Sequence, residues 1–488
     1  METVGVVGLG IMGAGIAEVF ARAGLRVIGV DIDEGAVSRG RGHLESSTGK
    51  AVERGRLGAE ERAAILGRIT LTDKRDELAD ADLVIEAVPE VMELKRALFA
   101  DLDRICKPSA VLATNTSSLS VTTIAANTSR PGRVVGMHFF NPAPVMKLVE
   151  VVTTVLTEDG LGGEIAELAT RLGKTPIVVG DRAGFVANRL LLGYLNQACR
   201  MLEEGVASRD GIDTAMRVGA GLPMGPFQLL DLIGLDTSYE ICEVLFYETK
   251  DRRHAPSPLL RELVTAGMHG RKSGQGFHPR TAKPTAPPSS GPKVTVTTIG
   301  VVGDGVDAEL LRERLDTAGF KTLDGHRDAD IVLAVTAPPV VDVAVRLPNP
   351  ERVVGIHLVG AEVAEVVHTV LTAPEIATVA QDLARVMGRT PVACADRAGL
   401  VVNALLFPYL NDAVRMVESG YASFADVDTA MKLGCGYPQG PFEMLEAFGL
   451  ETVRDGLRAL YAEYREPSFA PAPLLERLVA AGMKDVKG

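Results

Sequence analysis

The chain has 488 residues, of which 46% are hydrophobic and 23% are charged, and its formal net charge is −12. This length provides for roughly two to four domains with apolar cores. The negative charge argues against nucleic acid or an anionic membrane as the main partner, and no apolar run reaches the roughly 20 residues of a membrane span. Five cysteines are scattered without a CxxC pair, which is typical of a reducing compartment and gives no metal signature. We therefore expect a cytoplasmic protein without a metal site.

The chain opens on a stretch that reads as a strand, a glycine turn and the start of a helix. In the turn, Gly8 allows a tight bend, Gly10 lets the backbone approach a pyrophosphate, and Gly13 lets the helix pack on the strand. A second apolar strand ends in Asp31, 23 residues after Gly8, where a carboxylate binds ribose hydroxyls and repels a 2′-phosphate. The stretch therefore predicts a dinucleotide site that takes NAD rather than NADP. Its predicted cofactor-binding residues are Gly8, Gly10, Ile11, Met12, Gly13 and Asp31.

Apolar strands alternate with helical stretches over residues 1–183, which predicts a Rossmann-type α/β domain with a doubly wound parallel sheet. Ligands of such sheets bind beyond the carboxyl ends of the strands. We place His138 just past its strand, and we expect four polar side chains to gather along this edge. They are Asp31, Glu90, Ser117 and His138.

A charged helical stretch over residues 36–68 interrupts this pattern and carries several basic residues among acids. It is either a solvated helical excursion or a basic flap that reaches toward a phosphate-bearing substrate. The basic residues of this stretch include Lys50, Arg54, Arg56, Arg62 and Arg68. An anionic substrate would need such a local basic patch against the negative charge of the whole chain.

From residue 184 the pattern becomes helical, and beyond a proline-rich linker a degraded second copy of the whole arrangement follows. A constant offset of 215 residues relates the helical parts, so that Asp181-Arg182-Ala183-Gly184 matches Asp396-Arg397-Ala398-Gly399. We predict an NAD-binding Rossmann domain (1–183), a helical domain for substrate binding and dimerisation (184–280), the linker (281–294), a truncated Rossmann-like domain (295–398) and a second helical domain (399–488).

The second Rossmann-like domain is too short for a dinucleotide site. The stretch that corresponds to the 74 residues from Gly8 to Asp82 is only 27 residues long. Ala308 stands at the third glycine position, and the segment 115–118 has no counterpart. We therefore expect one NAD site in the chain and a second helical domain that serves packing.

His138 and Glu150 form the pair best suited to acid–base chemistry. Glu150 lies 12 residues after His138 in an apolar strand, where a carboxylate can fix the imidazole tautomer and leave the other nitrogen as a general base. Oxidation of an alcohol by hydride abstraction needs such a base. The alternative is a core histidine and a glutamate with purely structural partners. In the second copy, His357, Glu365 and Asn403 persist with a His-to-Glu spacing of 8, and we interpret them as relics.

Several motifs follow one another in a specific order: Gly8-Leu9-Gly10-Ile11-Met12-Gly13, Asn115-Thr116-Ser117-Ser118, His138-Phe139-Phe140-Asn141-Pro142, Asp181-Arg182-Ala183-Gly184-Phe185-Val186-Ala187-Asn188-Arg189 and Gly270-Arg271-Lys272-Ser273-Gly274. With these motifs the chain resembles the L-3-hydroxyacyl-CoA dehydrogenase family, including its 3-hydroxybutyryl-CoA members. The resemblance covers residues 1–280 and recurs in degraded form over 295–488.

The resemblance implies an enzyme that oxidises an (S)-3-hydroxyacyl-CoA to the 3-oxoacyl-CoA with NAD, as in fatty-acid β-oxidation. It implies that His138 is the general base, that Glu150 orients it, and that Ser117 and Asn188 hold the 3-oxygen of the substrate. It also implies an NAD site lined by Asp31, Glu90, Lys95, Ser117 and Asn141. The family's contacts to CoA have no clear match in the flap. Lys50 and Arg54 are the candidates for binding the substrate there.

Alternatives stay open at the level of the sequence. We expect a short acyl group such as 3-hydroxybutyryl, and the resemblance also allows the dicarboxylic 3-hydroxyadipyl group of aromatic-acid breakdown. The 3-hydroxyisobutyrate and 6-phosphogluconate dehydrogenases share the glycine-rich opening, but they need a lysine where this chain has Asn188. A non-catalytic, crystallin-like protein is the other alternative. Because family members commonly dimerise through the helical domain, we expect residues 399–488 to dock on 184–280 as an internal pseudo-dimer, with or without a homodimer.

Overall fold

The structure is a computed structural model that describes residues 1–279, 294–324, 326–335 and 339–486. The predicted linker over 281–294 lies outside the described residues except for position 294. The chain forms two compact units, and each unit draws on both halves of the sequence. The first unit comprises Met1–Arg189 and Met416–Gly440, and the second comprises Leu190–Arg415 and Pro441–Gly488.

The first unit contains a sheet of eight strands. In chain order the strands are β1 (Thr3–Val7), β2 (Arg26–Val30), β3 (Ile69–Thr72), β4 (Leu83–Glu86), β5 (Val111–Thr114), β6 (Val134–Phe139), β7 (Leu148–Thr153) and β8 (Thr175–Gly180). Their order across the sheet is β3-β2-β1-β4-β5-β6-β7-β8. Neighbouring strands run parallel except β6 and β7, which run antiparallel.

The prediction of a parallel sheet is therefore wrong at β7. A parallel crossover needs about a dozen residues or more, but only residues 140–147 connect β6 to β7. The chain consequently turns back beside the strand that it has just left. The strand β6 also continues to Phe139, so His138 lies within it and not just past it as predicted. As a result, His138 is paired directly with Glu150 on β7.

The second unit contains a smaller sheet with a similar arrangement. Its strands are β9 (Thr298–Val302), β10 (Lys321–Asp324), β11 (Ile331–Ala334), β12 (Val353–Val359), β13 (Val363–His368) and β14 (Thr390–Ala395). They lie in the order β10-β9-β11-β12-β13-β14, and β12 and β13 form the one antiparallel pair in this described sheet. Both sheets are thus mixed and Rossmann-like, and the second has fewer strands.

Helices cover the sheets and make up the helical parts of both units. In chain order they are α1 (Ile11–Arg22), α2 (Glu34–Glu53), α3 (Ala59–Gly67), α4 (Met92–Ile105), α5 (Val121–Ala125), α6 (Leu161–Arg171), α7 (Ala187–Glu203), α8 (Arg209–Thr214), α9 (Pro226–Ile233), α10 (Leu235–Thr249), α11 (Pro258–Thr265), α12 (Val306–Thr317), α13 (Val341–Ala344), α14 (Pro374–Val386), α15 (Val402–Glu418), α16 (Phe424–Cys435), α17 (Pro441–Phe448), α18 (Leu450–Tyr464) and α19 (Pro473–Ala480). A π-helical turn at Ala215–Gly219 continues α8.

The core of the first unit lies on both faces of its sheet. Strands β1, β4, β5 and β6 are buried along their whole length, as is usual for strands covered on both sides. Phe20 of α1 and Leu168 of α6 belong to one apolar cluster, whereas Phe99 of α4 and Ile124 of α5 belong to another. The sheet is therefore the middle one of three layers, and this packing holds the strand ends that carry the polar residues.

The helical part of the second unit is held by buried side-chain amides. Asn196 on α7 donates hydrogen bonds to the carbonyl oxygens of Arg253 and Ala255, at 2.6 and 2.8 Å. Asn411 on α15 makes the matching bond to Ala470 at 2.9 Å. These amides satisfy carbonyls that would otherwise be buried without partners, so they fix the loops before α11 and α19.

Candidate active site

The glycine turn after β1 has the geometry that its sequence predicts. Gly8 has a φ of +89°, which favours glycine over residues with a side chain. A Cβ atom on Gly13 would lie 1.7 Å from the carbonyl oxygen of Gly8, whereas a Cβ on Gly10 would meet no atom within 4 Å. The turn is thus closed on the protein side and open at Gly10, where a ligand can approach the backbone. The helix α1 begins here, and the amides of its first turn can bind an anionic group.

Asp31 follows β2 and lies beside this turn. One of its carboxylate oxygens accepts a hydrogen bond of 2.7 Å from the Leu9 amide, and the other accepts one of 2.7 Å from the Ile32 amide. Each oxygen keeps a further lone pair for a hydroxyl donor. Ile11, which follows Gly10, and Ile32, which follows Asp31, are both exposed. The turn and Asp31 together fit the pyrophosphate and a ribose of a dinucleotide.

Lys95 is fully buried and paired with two carboxylates. Its ammonium nitrogen lies 2.7 Å from an oxygen of Glu86 and 3.1 Å from an oxygen of Glu90. Since only 1% of its side chain is exposed, Lys95 does not present its charge to solvent. Its ammonium group is instead paired with Glu86 and Glu90. Sequence reasoning did not include Glu86 among the site residues, although it ends the strand that precedes Glu90.

Glu90 organises the turn that carries Ser117. One of its oxygens accepts hydrogen bonds from the Ser117 amide at 2.9 Å, from the Ser118 amide at 3.2 Å and from the Thr116 hydroxyl at 2.5 Å. Burial acts to raise the pKa of Glu90, but the charge of Lys95 and these hydrogen bonds outweigh it and lower the pKa. Glu90 is therefore a carboxylate at neutral pH, and it fixes the backbone at Ser117.

His138 and Glu150 form a buried dyad across β6 and β7. The Nδ1 atom of His138 lies 2.6 Å from the Oε2 atom of Glu150. The His138 side chain is 5% exposed and that of Glu150 is fully buried. A carboxylate accepts hydrogen bonds only, so Nδ1 carries the proton in this pair and Nε2 is left as the basic nitrogen.

Ser117 lies on the Nε2 side of the dyad, and Asn188 contacts Ser117. The Ser117 hydroxyl oxygen is 3.2 Å from Nε2 of His138. The side-chain amide of Asn188 donates to the Ser117 carbonyl oxygen at 3.5 Å. The four predicted catalytic residues are therefore brought together, although they come from three separate parts of the first unit.

The second oxygen of Glu150 is held by the start of α7. It accepts hydrogen bonds of 3.1 Å from the amides of both Val186 and Ala187. Phe185 directly before them has a φ of +45°, a conformation that residues with side chains rarely adopt. This bend aims two amides of the helix N-terminus at one carboxylate oxygen, which stabilises negative charge there.

Aromatic rings enclose the imidazole of His138. The ring centroid of Phe140 lies 4.5 Å from that of His138, and the centroid of Phe185 lies 5.7 Å away. Asn115 supports the same strand, since its side-chain oxygen accepts a hydrogen bond of 2.8 Å from the Phe139 amide. None of these residues was among the predicted site residues. The signal for them was present, because each lies inside a motif that was already singled out.

A cavity of about 610 Å³ lies in the first unit between α1, α2 and the loop 141–147. Lys50 and Arg54, the two candidates from the predicted flap, both line it, as does Asn141. Other basic residues of the lining include Arg56 and Lys147. The cavity also borders the glycine turn at Ile11, so a basic surface lies next to the dinucleotide turn.

The second unit contains a dyad of the same form. Nδ1 of His357 lies 2.6 Å from Oε2 of Glu365, whose other oxygen accepts from the amides of Val401 and Val402 at 3.0 and 2.9 Å. The spacing of 8 residues arises because only residues 360–362 connect β12 and β13. The side chain of His357 is 33% exposed. Burial lowers its pKa, but the hydrogen bond and charge of Glu365 raise it by more.

No described helix is both long and apolar enough to cross a membrane. Within the same part of the chain, no group of three or more His, Cys, Asp or Glu side chains is arranged to hold a metal ion.

Comparison with known proteins assigns the chain to a family. Residues 3–182 match the 3-hydroxyacyl-CoA dehydrogenase NAD binding domain, and residues 184–279 and 399–488 match the C-terminal domain of that family. A 3-hydroxyadipyl-CoA dehydrogenase of Escherichia coli (strain K12) is 37% identical over 98% of this chain and 97% of its own length. A 3-hydroxybutyryl-CoA dehydrogenase of Mycobacterium tuberculosis (strain ATCC 25618 / H37Rv) is 46% identical over 57% of this chain and 98% of its own.

A solved structure agrees with this assignment. The crystal structure of 3-hydroxybutyryl-CoA dehydrogenase from Escherichia coli K12 gives a TM-score of 0.84 at 35% sequence identity and covers 99% of each chain. The fold and the glycine turn thus define the chain as an NAD-binding oxidoreductase. More specifically, the chain belongs to the 3-hydroxyacyl-CoA dehydrogenase family. This confirms the predictions of the family, of an NAD-dependent enzyme and of NAD as its cofactor.

Proposed function

We propose that the enzyme oxidises an (S)-3-hydroxyacyl-CoA to the 3-oxoacyl-CoA and uses the His138–Glu150 dyad as its base. The observation that carries this proposal is the line of groups from Glu150 through His138 to Ser117. Oε2 of Glu150 lies 2.6 Å from Nδ1 of His138, and Nε2 of His138 lies 3.2 Å from the Ser117 hydroxyl oxygen. This line presents a basic imidazole nitrogen beside a hydroxyl donor, within reach of an alcohol placed at Ser117.

In the reaction, Nε2 of His138 takes the proton of the substrate's 3-hydroxyl group. Glu150 stabilises the imidazolium that forms, because its Oε2 atom already accepts a hydrogen bond from Nδ1. The amides of Val186 and Ala187 keep this carboxylate in place, so it need not reorganise as the charge develops. NAD supplies the acceptor for the hydride that leaves C3 of the substrate.

Ser117 and Asn188 serve the oxygen that becomes the carbonyl. A serine hydroxyl and a carboxamide are both hydrogen-bond donors, which suits an oxygen that gives up its proton. Ser117 is suited to this role because Glu90 fixes its backbone amide at 2.9 Å. Asn188 lies on the first turn of α7, next to the amides that hold Glu150.

The proposed NAD site begins at the glycine turn. Gly8, Gly10, Ile11, Met12 and Gly13 would hold the pyrophosphate, and Asp31 would accept from a ribose. Glu90, Ser117 and Asn141 complete the site, and Lys95 acts on it through Glu90. The open space above Gly10 and the closed side at Gly13 support this arrangement.

Lys50 and Arg54 would bind the phosphates of CoA. Their position in the wall of a basic cavity beside the glycine turn supports this role over that of a purely solvated helix. The negative charge of the chain makes a local basic surface necessary for such a substrate.

The proposed acyl groups are 3-hydroxybutyryl and 3-hydroxyadipyl. A relative that matches this chain along nearly its whole length is a 3-hydroxyadipyl-CoA dehydrogenase, whereas a solved structure of equal coverage is a 3-hydroxybutyryl-CoA dehydrogenase. Steady-state NADH formation with both substrates and with longer acyl groups decides between them. No turnover with any acyl chain would contradict the proposed function and favour a non-catalytic protein.

We further propose that the chain is an internal duplication in which the helical domains dock as a pseudo-dimer. Within the second unit, buried Arg253 pairs with Asp412 at 2.7 and 2.9 Å, and the rings of Tyr194 and Tyr409 meet at 6.2 Å. Both contacts join residues of the two sequence halves. A chain that ends at residue 280 should aggregate or dimerise, and a soluble active monomer would contradict the docking.

A cytoplasmic location goes with this function. All five cysteines are free thiols, and four of them are buried. Thiols that persist unpaired are typical of proteins in reducing compartments. Fractionation of cells that produce the protein tests the location.

A further inference from the structure

A helix from the second half of the chain forms part of the first unit. The helix α16 packs against β7 and β8 of the eight-stranded sheet. Next to it in the sequence, the Tyr421 hydroxyl donates to the Gly180 carbonyl oxygen at 3.0 Å, and the guanidinium of Arg182 lies 4.5 Å from the Tyr421 ring centroid. The segment 416–440 is therefore anchored at several points to the sheet that carries Glu150.

The helix α16 approaches this site at Gly434. A Cβ atom on Gly434 would lie 2.8 Å from Cδ2 of Leu148 and 3.1 and 3.3 Å from Cε1 and Cζ of Phe140. Even a methyl group would therefore displace the Phe140 ring by a few tenths of an ångström. The helix backbone thus limits the position of Phe140 from one side.

The Phe140 ring also packs against the imidazole of His138. The two ring centroids are 4.5 Å apart with an angle of 53° between the planes. The neighbour of Gly434, Cys435, interacts electrostatically with Glu150. Burial raises the pKa of its thiol to about 12, and the negative charge of Glu150 contributes to this rise. The end of α16 therefore contacts the ring that packs against His138.

The matching position in the second unit shows what is particular to this contact. Gly219 lies 215 residues before Gly434, and its Cβ atom would lie 3.1 Å from Val359 and 3.3 Å from Val363. Val359 follows His357 by two residues, as Phe140 follows His138. The same approach of helix to strand therefore meets an aliphatic side chain there and an aromatic ring in the first unit.

We propose that Gly434 is a positioning residue for the dehydrogenase reaction: it seats Phe140 against the imidazole of His138 and so sets the orientation of the base. The inference rests on the proposed function of His138. It gives the second half of the chain a direct part in the first active site, beyond packing.

The test is the Gly434→Ala variant of the full chain, with Gly219→Ala as the matched control. Because Leu148 and Phe140 can yield by small side-chain movements, we expect Gly434→Ala to fold with a Tm close to that of the wild type. A shifted base costs rate without changing the glycine turn. We therefore expect kcat to fall about tenfold with the KM for NAD unchanged, whereas Gly219→Ala leaves both constants as they are.

The Phe140→Leu variant shows whether the loss of kcat in Gly434→Ala depends on the Phe140 ring. In Phe140→Leu the ring atoms near Gly434 are absent, so adding Gly434→Ala should cost less than about twofold further in kcat. A readout without substrate or cofactor is the NMR resonance of the His138 imidazole, assigned by its loss in His138→Gln. Movement of the neighbouring ring in Gly434→Ala should shift this resonance.

Three results would overturn the inference: an unchanged kcat in Gly434→Ala, an unshifted His138 resonance, or an equal loss of kcat in the wild-type and Phe140→Leu backgrounds. Should Gly434→Ala not fold, Phe140→Leu alone decides, because an undiminished kcat there means that Phe140 does not position His138. An inactive wild-type enzyme would refute the proposed function, while the NMR comparison would still test the contact.

Discussion

A single carboxylate, that of Glu150, is bonded both to His138 and to the backbone of Val186. Its Oε2 atom lies 2.6 Å from the imidazole, and its Oε1 atom accepts from the Val186 amide at 3.1 Å. The group that orients the proposed base is therefore also the group that fixes the first turn of α7, where Asn188 lies. One side chain couples the position of the base to that of a substrate-binding residue.

The first prediction concerns this carboxylate. Glu150→Gln removes the charge that stabilises the imidazolium, and we expect kcat to fall about 10²- to 10⁴-fold with a smaller change in the KM for NAD. Glu365→Gln makes the same change in the second dyad and should leave kcat unchanged. Steady-state kinetics of the two variants check this, and equal losses in both would argue against a specific role for Glu150.

The second prediction concerns the choice of cofactor. Asp31→Asn keeps an acceptor for the Leu9 amide but loses the charge, so the KM for NAD should rise at least about tenfold and turnover with NADP should increase. Asp33→Asn is the control, because Asp33 caps α2 and asparagine serves equally well in that position. Unaltered cofactor constants in Asp31→Asn would exclude Asp31 from the NAD site.

The third prediction concerns the basic cavity. In the double variant Lys50→Ala/Arg54→Ala, the KM for the acyl-CoA should rise about tenfold at low salt and by less at high salt, where charges are screened. An N-acetylcysteamine thioester lacks the nucleotide of CoA, so its KM should not change. Arg41→Ala removes an exposed charge from the same helix outside the cavity lining and should have no effect. Loss of activity with both kinds of thioester would contradict the assignment.

The fourth prediction concerns the pH dependence of stability. Because the pKa of Glu90 is lower in the folded protein than its ordinary value of 4.5, its carboxylate stabilises the fold above that value. This contribution is lost as the pH falls below 4.5 toward the folded-state pKa. The difference in Tm between wild type and Glu90→Gln should therefore be larger at pH 7 than at pH 4. A difference that stays constant or grows on acidification would contradict this account of the Ser117 turn.

The glycine turn could be predicted from the sequence because its requirements are local. Gly8 needs a positive φ, and Gly13 needs the absence of a side chain, so a few consecutive residues reveal the geometry. The residue types of His138 and Glu150 were enough to predict them as a pair. The antiparallel run of β7, which places the two residues directly opposite each other, was not predicted. It follows from the short connection 140–147.

Other features depend on three-dimensional packing, which no local sequence pattern records. The burial of Lys95 against Glu86 and Glu90 follows from the fold of β4 and α4, and the sequence does not reveal it. The place of α16 against β7 and β8 joins residues about 240 to 290 positions apart, and it could not be inferred from periodicity or composition.

The most direct test of the account compares His138→Gln with His357→Gln in the full chain. The two histidines have the same partner geometry, but only His138 lies 3.2 Å from a serine hydroxyl beside the proposed NAD site. We predict that NADH formation from 3-hydroxybutyryl-CoA or 3-hydroxyadipyl-CoA falls at least about 10²-fold in His138→Gln and is unchanged in His357→Gln, with both variants folded. Retention of activity in a folded His138→Gln enzyme would contradict the account.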